Sequence, residues 1–312
     1  MRPERLSLVL SGGGVKALAH AGAWAALDEL GYRPQRIVAT SMGAVVGACF
    51  AAGMRYQDVV SGALRVERGD VAALSPVAVV AGLLAPSVLR GRPLRETIDR
   101  LIPVRRFDDL EISLTVVCVD LDTGRPVLFG SGGRTDISVV DALYAACALP
   151  VYYPPLAFRG RRLADGGLHS PLPIDAVGPR EADLVVAIDV GPSLDSMPGP
   201  GTATPPPLLR AYGAMSRIAL AKLTEAALAR WRTRVGEGTR FVLVRPVHDR
   251  EATFALQHIA RYVGDGYRAT RKALGGGEGR TEADGGGQGR SEAVRRGREQ
   301  SERVEGREPD GA

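Results

Sequence analysis

Three short stretches hold residues whose types and spacing could do chemistry. The first is SGGGVKA, residues 11–17, where an apolar run gives way to helical periodicity. Glycines there let successive backbone N–H groups converge on one point while a helix N-terminus adds partial positive charge, so the loop suits an anion, either a phosphate or a transient oxyanion. Gly12, Gly14 and Ala17 also match the looser GxGxxA form of the dinucleotide fingerprint. Against that, the next strand ends in Ala39 and Thr40 where an acid for the ribose would stand, and the GK[ST] ending of a nucleotide phosphate loop is absent. A tight turn serving packing alone is the competing reading. The second stretch is ATSMG, residues 39–43. A nucleophile elbow needs small residues two before and two after its serine so that the backbone can bend sharply, and Ser41 with Ala39 and Gly43 meets that demand. Its rival is a plain helix N-cap by Thr40 or Ser41. The third is LADGGLHSPLP, residues 163–173, where Asp165 precedes Gly166 and Gly167. Asp-Gly alone signals a turn. Taken together, an anion-binding loop, a serine elbow and a carboxylate are the components of acyl transfer.

Histidine offers no better base. The four, His20, His169, His248 and His258, show no HExxH spacing, which argues against a zinc site. His20 shares a helical face with Leu27 and reads as a packing residue.

The segments SGGGVKALAHAGAWAALDELG, ATSMGAVVGACFAAG and ALPVYYPPL followed by LADGGLHSPLPIDAV run in that order across residues 5–191. In this they resemble the patatin-like phospholipase family, and within it the small bacterial members. The resemblance implies a three-layer α/β fold whose mostly parallel central sheet carries helices on both faces. It also implies Ser41 as nucleophile, Asp165 as its dyad partner, and Gly12, Gly13 and Gly14 as the oxyanion loop. Lys16, Ala39, Gly43, Gly166 and Gly167 are the supporting motif positions, and no metal or organic cofactor is required. The substrate implied is a fatty-acyl ester of a phospholipid, lysophospholipid or neutral lipid. Two departures stand out: Ala39 replaces the family's usual Gly, and Lys16 stands where Arg is frequent, keeping the charge but not the planar fork. The alternatives from other classes are a nucleotide- or dinucleotide-binding module and a non-catalytic scaffold of the same fold.

Such a site needs elements to hold it. Apolar runs at residues 6–10, 36–40, 114–120, 127–129 and 184–190 predict strands, with one more at 241–244. Helical spacing covers 15–30, with Gly31 as its C-cap, and 41–53, 92–101, 139–147 and 208–231. Helices alternating with apolar strands predict a largely parallel sheet covered on both faces. Residues 71–89 contain no ionisable group, but Ser75, Pro76, Gly82, Pro86 and Ser87 interrupt them, so they do not read as a membrane span. They read as an apolar wall or flap beside the acyl chain, with peripheral membrane contact, or equally as a buried core helix. The expected organisation is one domain, residues 1–274, comprising a motif-bearing core at 5–191, a Pro/Gly-rich loop at 191–207 and a helical part at 208–274. Residues 275–312 have almost no apolar side chain to offset their ordering entropy and read as a disordered tail.

Composition narrows the partners. The chain has 312 residues, 45% hydrophobic and 24% charged, enough to bury a sizeable core. At 5% the aromatics are too scarce for a protein that stacks bases, so no nucleic-acid partner is expected. The net charge is +5; the tail, with seven Arg against nine acidic residues, leaves the excess on the part before it. That gives mild attraction to anionic surfaces. Cys49, Cys118 and Cys147 lie far apart with no CxxC spacing, which fits a reducing compartment. The apolar run near the N-terminus is too short for a signal-peptide core, so the expected address is cytoplasmic, with a peripheral position at the membrane.

Overall fold

The structure, a computed structural model, describes residues 4–178, 181–194, 207–235, 238–247, 254 and 256–275. The expected tail beyond Gly275, most of the Pro/Gly-rich loop and His248 lie outside the described residues. Eight strands form one sheet: β1 (Leu6–Leu10), β2 (Pro34–Thr40), β3 (Ser113–Asp120), β4 (Pro126–Gly130), β5 (Leu156–Phe158), β6 (Arg161–Asp165), β7 (Leu184–Ile188) and β8 (Arg240–Val244). Their order is β5-β6-β3-β2-β1-β7-β8, with β4 also on β3. From β3 to β8 neighbouring strands are parallel. Around β3 the added strands β4 and β6 are antiparallel, and β5 is antiparallel to β6. The central strands are buried on both faces, which is why LVVAI is a continuous apolar run and LSLVL is interrupted only by Ser7.

The helices are α1 (Ala19–Glu29), α2 (Ser41–Ala51), α3 (Tyr56–Leu64), α4 (Arg68–Val71), α5 (Pro76–Ala81), α6 (Gly91–Leu101), α7 (Val139–Cys147), α8 (Pro207–Arg234) and α9 (Ile259–Gly275). Strand residues alternate between two cores. Leu6, Leu8 and Leu10 of β1 face a core built with α1, α2, α7 and α9. Val9 of β1 and Val185 and Ala187 of β7 face the opposite core, closed by Ala227, Leu228 and Trp231 of α8. Helices therefore cover both faces of a central sheet, the α/β class that the motifs imply.

Two close approaches fix the helices nearest the motifs. On α1 a Cβ at Gly22 would lie 1.8 Å from the Val263 carbonyl oxygen, and on α9 a Cβ at Gly266 would lie 1.9 Å from that of Ala19. The two helices thus cross backbone to backbone through a pair of glycines. The Trp24 ring of α1 stacks on Phe50 of α2 with centroids 4.4 Å apart. At the end of α1 the predicted cap holds: Gly31 has φ +80°, and Tyr32 N–H returns to the Leu27 carbonyl.

Several expectations are corrected. Residues Gly14–Leu18 form a tight 3₁₀ turn ahead of α1. Strands β5 and β6 and the helices α3 to α5 have no counterpart in the sequence reading. Residues 71–89 are not a buried core helix: α5 buries none of its side chains, a second 3₁₀ turn occupies Gly82–Leu84, and an antiparallel bridge joins Leu74 to Leu89. Pro76, lacking an N–H, cannot continue a preceding helix and starts α5 afresh, and Gly82 with φ +54° ends it. Among the described residues no helix is long and apolar enough to cross a membrane.

Candidate active site

Strand β3 brings the chemistry together. Thr40, the last residue of β2, pairs with Val117, and Asp165, the last residue of β6, pairs with the next residue, Cys118. Because β4 runs along β3 from Thr115 to Val119, it occupies one edge, and β2 and β6 share the other end to end. Ser41 comes after β2 at that junction. Parallel pairing of β1 with β2 sets Leu10 beside Ala39, so the glycine loop leaves the sheet next to Ser41.

Ser41 opens α2 with φ +52°, a left-handed conformation that costs a non-glycine residue about 1–2 kcal/mol. Neither candidate cap serves as one. Thr40 Oγ1 donates to the Val117 carbonyl at 3.0 Å, and Ser41 Oγ donates to Asp165 Oδ2 at 2.7 Å. The small neighbours are needed: a Cβ at Gly43 would lie 2.3 Å from the Ser11 carbonyl oxygen. Ala39 is fully buried, and a Cβ placed on Gly47 would stand 3.7 Å from its methyl, so α2 leaves room for that methyl.

Asp165 is 5% exposed. Its Oδ1 accepts the Gly167 N–H at 2.8 Å while Oδ2 holds Ser41. Burial pushes its carboxyl up to about 6, and the bonds from Ser41 and Gly167 moderate the rise. Gly166 is required between them, since a Cβ there would lie 2.1 Å from the Val117 carbonyl oxygen and 2.5 Å from Thr40 Oγ1. Among the described residues no imidazole stands between serine and carboxylate: His169 is exposed, and its backbone N–H donates to the Gly166 carbonyl. His258 lies against Tyr262.

In the glycine loop the three residues do different things. Gly12 donates its N–H to the Pro171 carbonyl at 3.0 Å, and a Cβ on it would press on Ser41 Cβ at 2.9 Å. The Gly13 and Gly14 N–H groups meet no acceptor among the described residues. The loop is held from behind by Ser11, whose N–H donates to Ile188 and whose Oγ accepts from Val190 N–H at 2.8 Å and donates to the Gly12 carbonyl. The Ser11 carbonyl accepts from His20 Nε2 at 2.9 Å. A carbonyl can only accept, so Nε2 carries the proton, and burial pushes the His20 imidazole down to about 4, keeping it neutral. His20 is therefore a support of the loop, a role the packing reading missed; the available signal was a histidine on a face otherwise filled by Ala, Gly and Leu, where a ring nitrogen must find a partner. Lys16 is buried in the 3₁₀ turn.

This arrangement offers a strained hydroxyl bonded to a buried carboxylate of raised basicity, next to a glycine loop with two N–H groups that meet no acceptor among the described residues. A family model for patatin-like phospholipase matches residues 8–177, a span that takes in the loop, Ser41 and Asp165. An uncharacterized NTE family protein of Mycobacterium bovis is 32% identical over 199 residues, 62% of this chain and 52% of that protein. Patatin-like phospholipase domain-containing protein 7 of Rattus norvegicus is 30% identical over 190 residues, 60% of this chain and 14% of that protein. The chain spans about half the length of the first relative and far less of the second. Among solved structures, VipD from Legionella pneumophila is similar with a TM-score of 0.48 and 17% identity, over 88% of this chain and 67% of that one.

Proposed function

The chain belongs to the patatin-like phospholipase family, and on that premise we propose that it is a serine-dependent lipid acyl hydrolase acting through a Ser41–Asp165 dyad. Its substrates are fatty-acyl esters of phospholipids, lysophospholipids or neutral lipids. Asp165 accepts the hydroxyl proton as Ser41 Oγ attacks the ester carbonyl, and the Gly13 and Gly14 N–H groups take the developing oxyanion, worth about 2.7–4 kcal/mol per donor in comparable sites. Collapse of the tetrahedral species expels the alcohol, which takes the proton from Asp165. Water then cleaves the acyl-enzyme with Asp165 again as base. Gly12 serves by lacking a Cβ against Ser41, and His20 through Ser11 keeps the loop in register. On this reading residues 1–274 form the acyl-hydrolase domain, residues 275–312 are an accessory tail, and the protein works in the cytoplasm against lipid surfaces.

The observation that carries the reading is the 2.7 Å bond between Ser41 Oγ and Asp165 Oδ2 at a left-handed serine. A non-catalytic scaffold would need the two apart, and a nucleotide-binding module has no use for the pair. A fluorophosphonate probe tests it: labelling is expected at Ser41 alone, and Ser41→Ala is expected to lose both label and p-nitrophenyl ester turnover while keeping its melting temperature. A folded protein that takes no label, or an alanine variant that still turns over ester, ends the proposal.

A further inference from the structure

Two exposed apolar segments are attached to the loop, residues 148–152, that also bonds to Asp165. On and beside α5, Val79 and Val80 are 73% and 90% exposed, and Leu74 and Leu84 are 62% and 89% exposed. On α8 the first fully buried side chain is Ala221, and in the fourteen residues before it Met215 and Ile218 stand exposed. Soluble surfaces rarely leave such side chains in groups.

Both segments also share a charge pattern. Residues 71–95 contain no Asp or Glu, and neither do residues 207–224. Arg90, Arg210 and Arg217 lie in them and enter no ion pair among the described residues, whereas Arg92, Arg95 and Lys222 at their far ends pair with Glu96, Asp141 and Glu225. Elsewhere on this surface arginines are mostly matched with carboxylates, as Arg55 is with Asp58 and Arg162 with Asp122.

One loop ties the two segments to the dyad. Val88 N–H donates to the Val151 carbonyl and Leu89 N–H to that of Tyr152, attaching the α5 segment. Tyr212 Oη of α8 donates to the Pro150 carbonyl at 2.9 Å. Asp165 N–H donates to the Ala148 carbonyl at 3.2 Å, joining the same loop to the site.

Resting on the acyl-hydrolase reading, we infer that residues 74–90 and the first half of α8 form one docking surface for an anionic phospholipid bilayer, delivering lipid esters to Ser41. The aliphatic side chains enter the acyl region while the unpaired arginines meet headgroup phosphates, the pairing that anchors proteins lying on a membrane. A protein partner or a second copy would bury the same aliphatic groups but would not call for carboxylates to be excluded from both segments.

The full chain is tested by co-sedimentation with phosphatidylcholine vesicles with and without phosphatidylglycerol, beside turnover of soluble p-nitrophenyl butyrate. The paired variants Val80→Asp with Leu84→Asp, and Met215→Asp with Ile218→Asp, replace solvent-facing side chains and are checked by thermal melt. The expected result is binding that needs phosphatidylglycerol and weakens in high salt, each pair lowering it by about tenfold or more, because an immersed aliphatic side chain is worth roughly a factor of ten. Turnover of the soluble ester should stay unchanged. Vesicle binding that is indifferent to both pairs or to phosphatidylglycerol overturns the proposal, as does light scattering that finds a dimer which the same variants dissociate. If the wild type binds vesicles as described yet never hydrolyses the soluble ester, the docking surface stands and the catalytic reading fails.

Discussion

At Asp165 burial raises the carboxyl from 3.8 to about 6, so between those values the folded chain holds a proton that the unfolded chain has released. The stability this contributes is complete below about pH 3.8 and lost as pH rises through about 6, leaving a buried carboxylate that costs about 3 kcal/mol at neutral pH. A residue that must be ionised to act as base then has two measurable signatures. The kcat/KM profile should show an acid limb near pH 6, and Asp165→Asn should abolish turnover yet melt higher than wild type at pH 7 and no higher at pH 4. His169→Ala should keep most of the kcat; if it is as inactive as Ser41→Ala while folded, His169 is the base. His20 works in the opposite sense, since its imidazole is lowered from 6.5 to about 4 and the stability of its neutral form is lost as pH falls through that window. Ser41 stores strain of a different kind. With φ at +52°, Ser41→Gly should melt about 2–4 °C above Ser41→Ala, the shift that roughly 1 kcal/mol of relieved backbone strain produces in a domain of this size.

Strands and motifs differ in how openly the sequence announces them. LSLVL, RIVAT and LVVAI are legible because central parallel strands are buried on both faces and so are mostly apolar, Ser7, Arg36 and Thr40 being the exceptions. SGGG and ATSMG are legible because each needs small residues at fixed offsets, and a Cβ at Gly43 or Gly12 has no space. Strand β6 was invisible for the converse reason: its RRLAD begins with two exposed arginines, pairs with a three-residue β5, and runs into glycines that signal a turn. Only its antiparallel register on β3 places Asp165 beside Ser41, and a register against a strand over forty residues away leaves no local pattern. The α1–α9 crossing is equally nonlocal. Gly266→Ala sends a methyl into the Ala19 carbonyl with no side chain free to yield, so it should cost more than the usual 1–3 kcal/mol of overpacking, while the same change at the open Gly213 should cost almost nothing. Denaturant midpoints of the two variants check this.

For the molecule as a whole the decisive boundary falls after α9. The described elements lie within one compact unit, Met1–Gly276, and Leu274 still packs on the core. A chain ended at Gly276 should keep its melting temperature and ester turnover, because residues 277–312 are nearly devoid of apolar side chains. A chain ended before Ile259 should fail to accumulate as soluble protein, and activity from such a fragment would show that α1 holds the glycine loop without its partner. The glycine pair that locks α1 to α9 also sets a clock. On a ribosome Gly22 emerges more than two hundred residues ahead of Gly266, a wait of roughly 10–50 s at ordinary rates of about 5–20 residues per second. Throughout that interval the serine and its glycine loop are already synthesised while the helix bracing them is not, so esterase activity should remain silent on nascent chains until α9 has emerged.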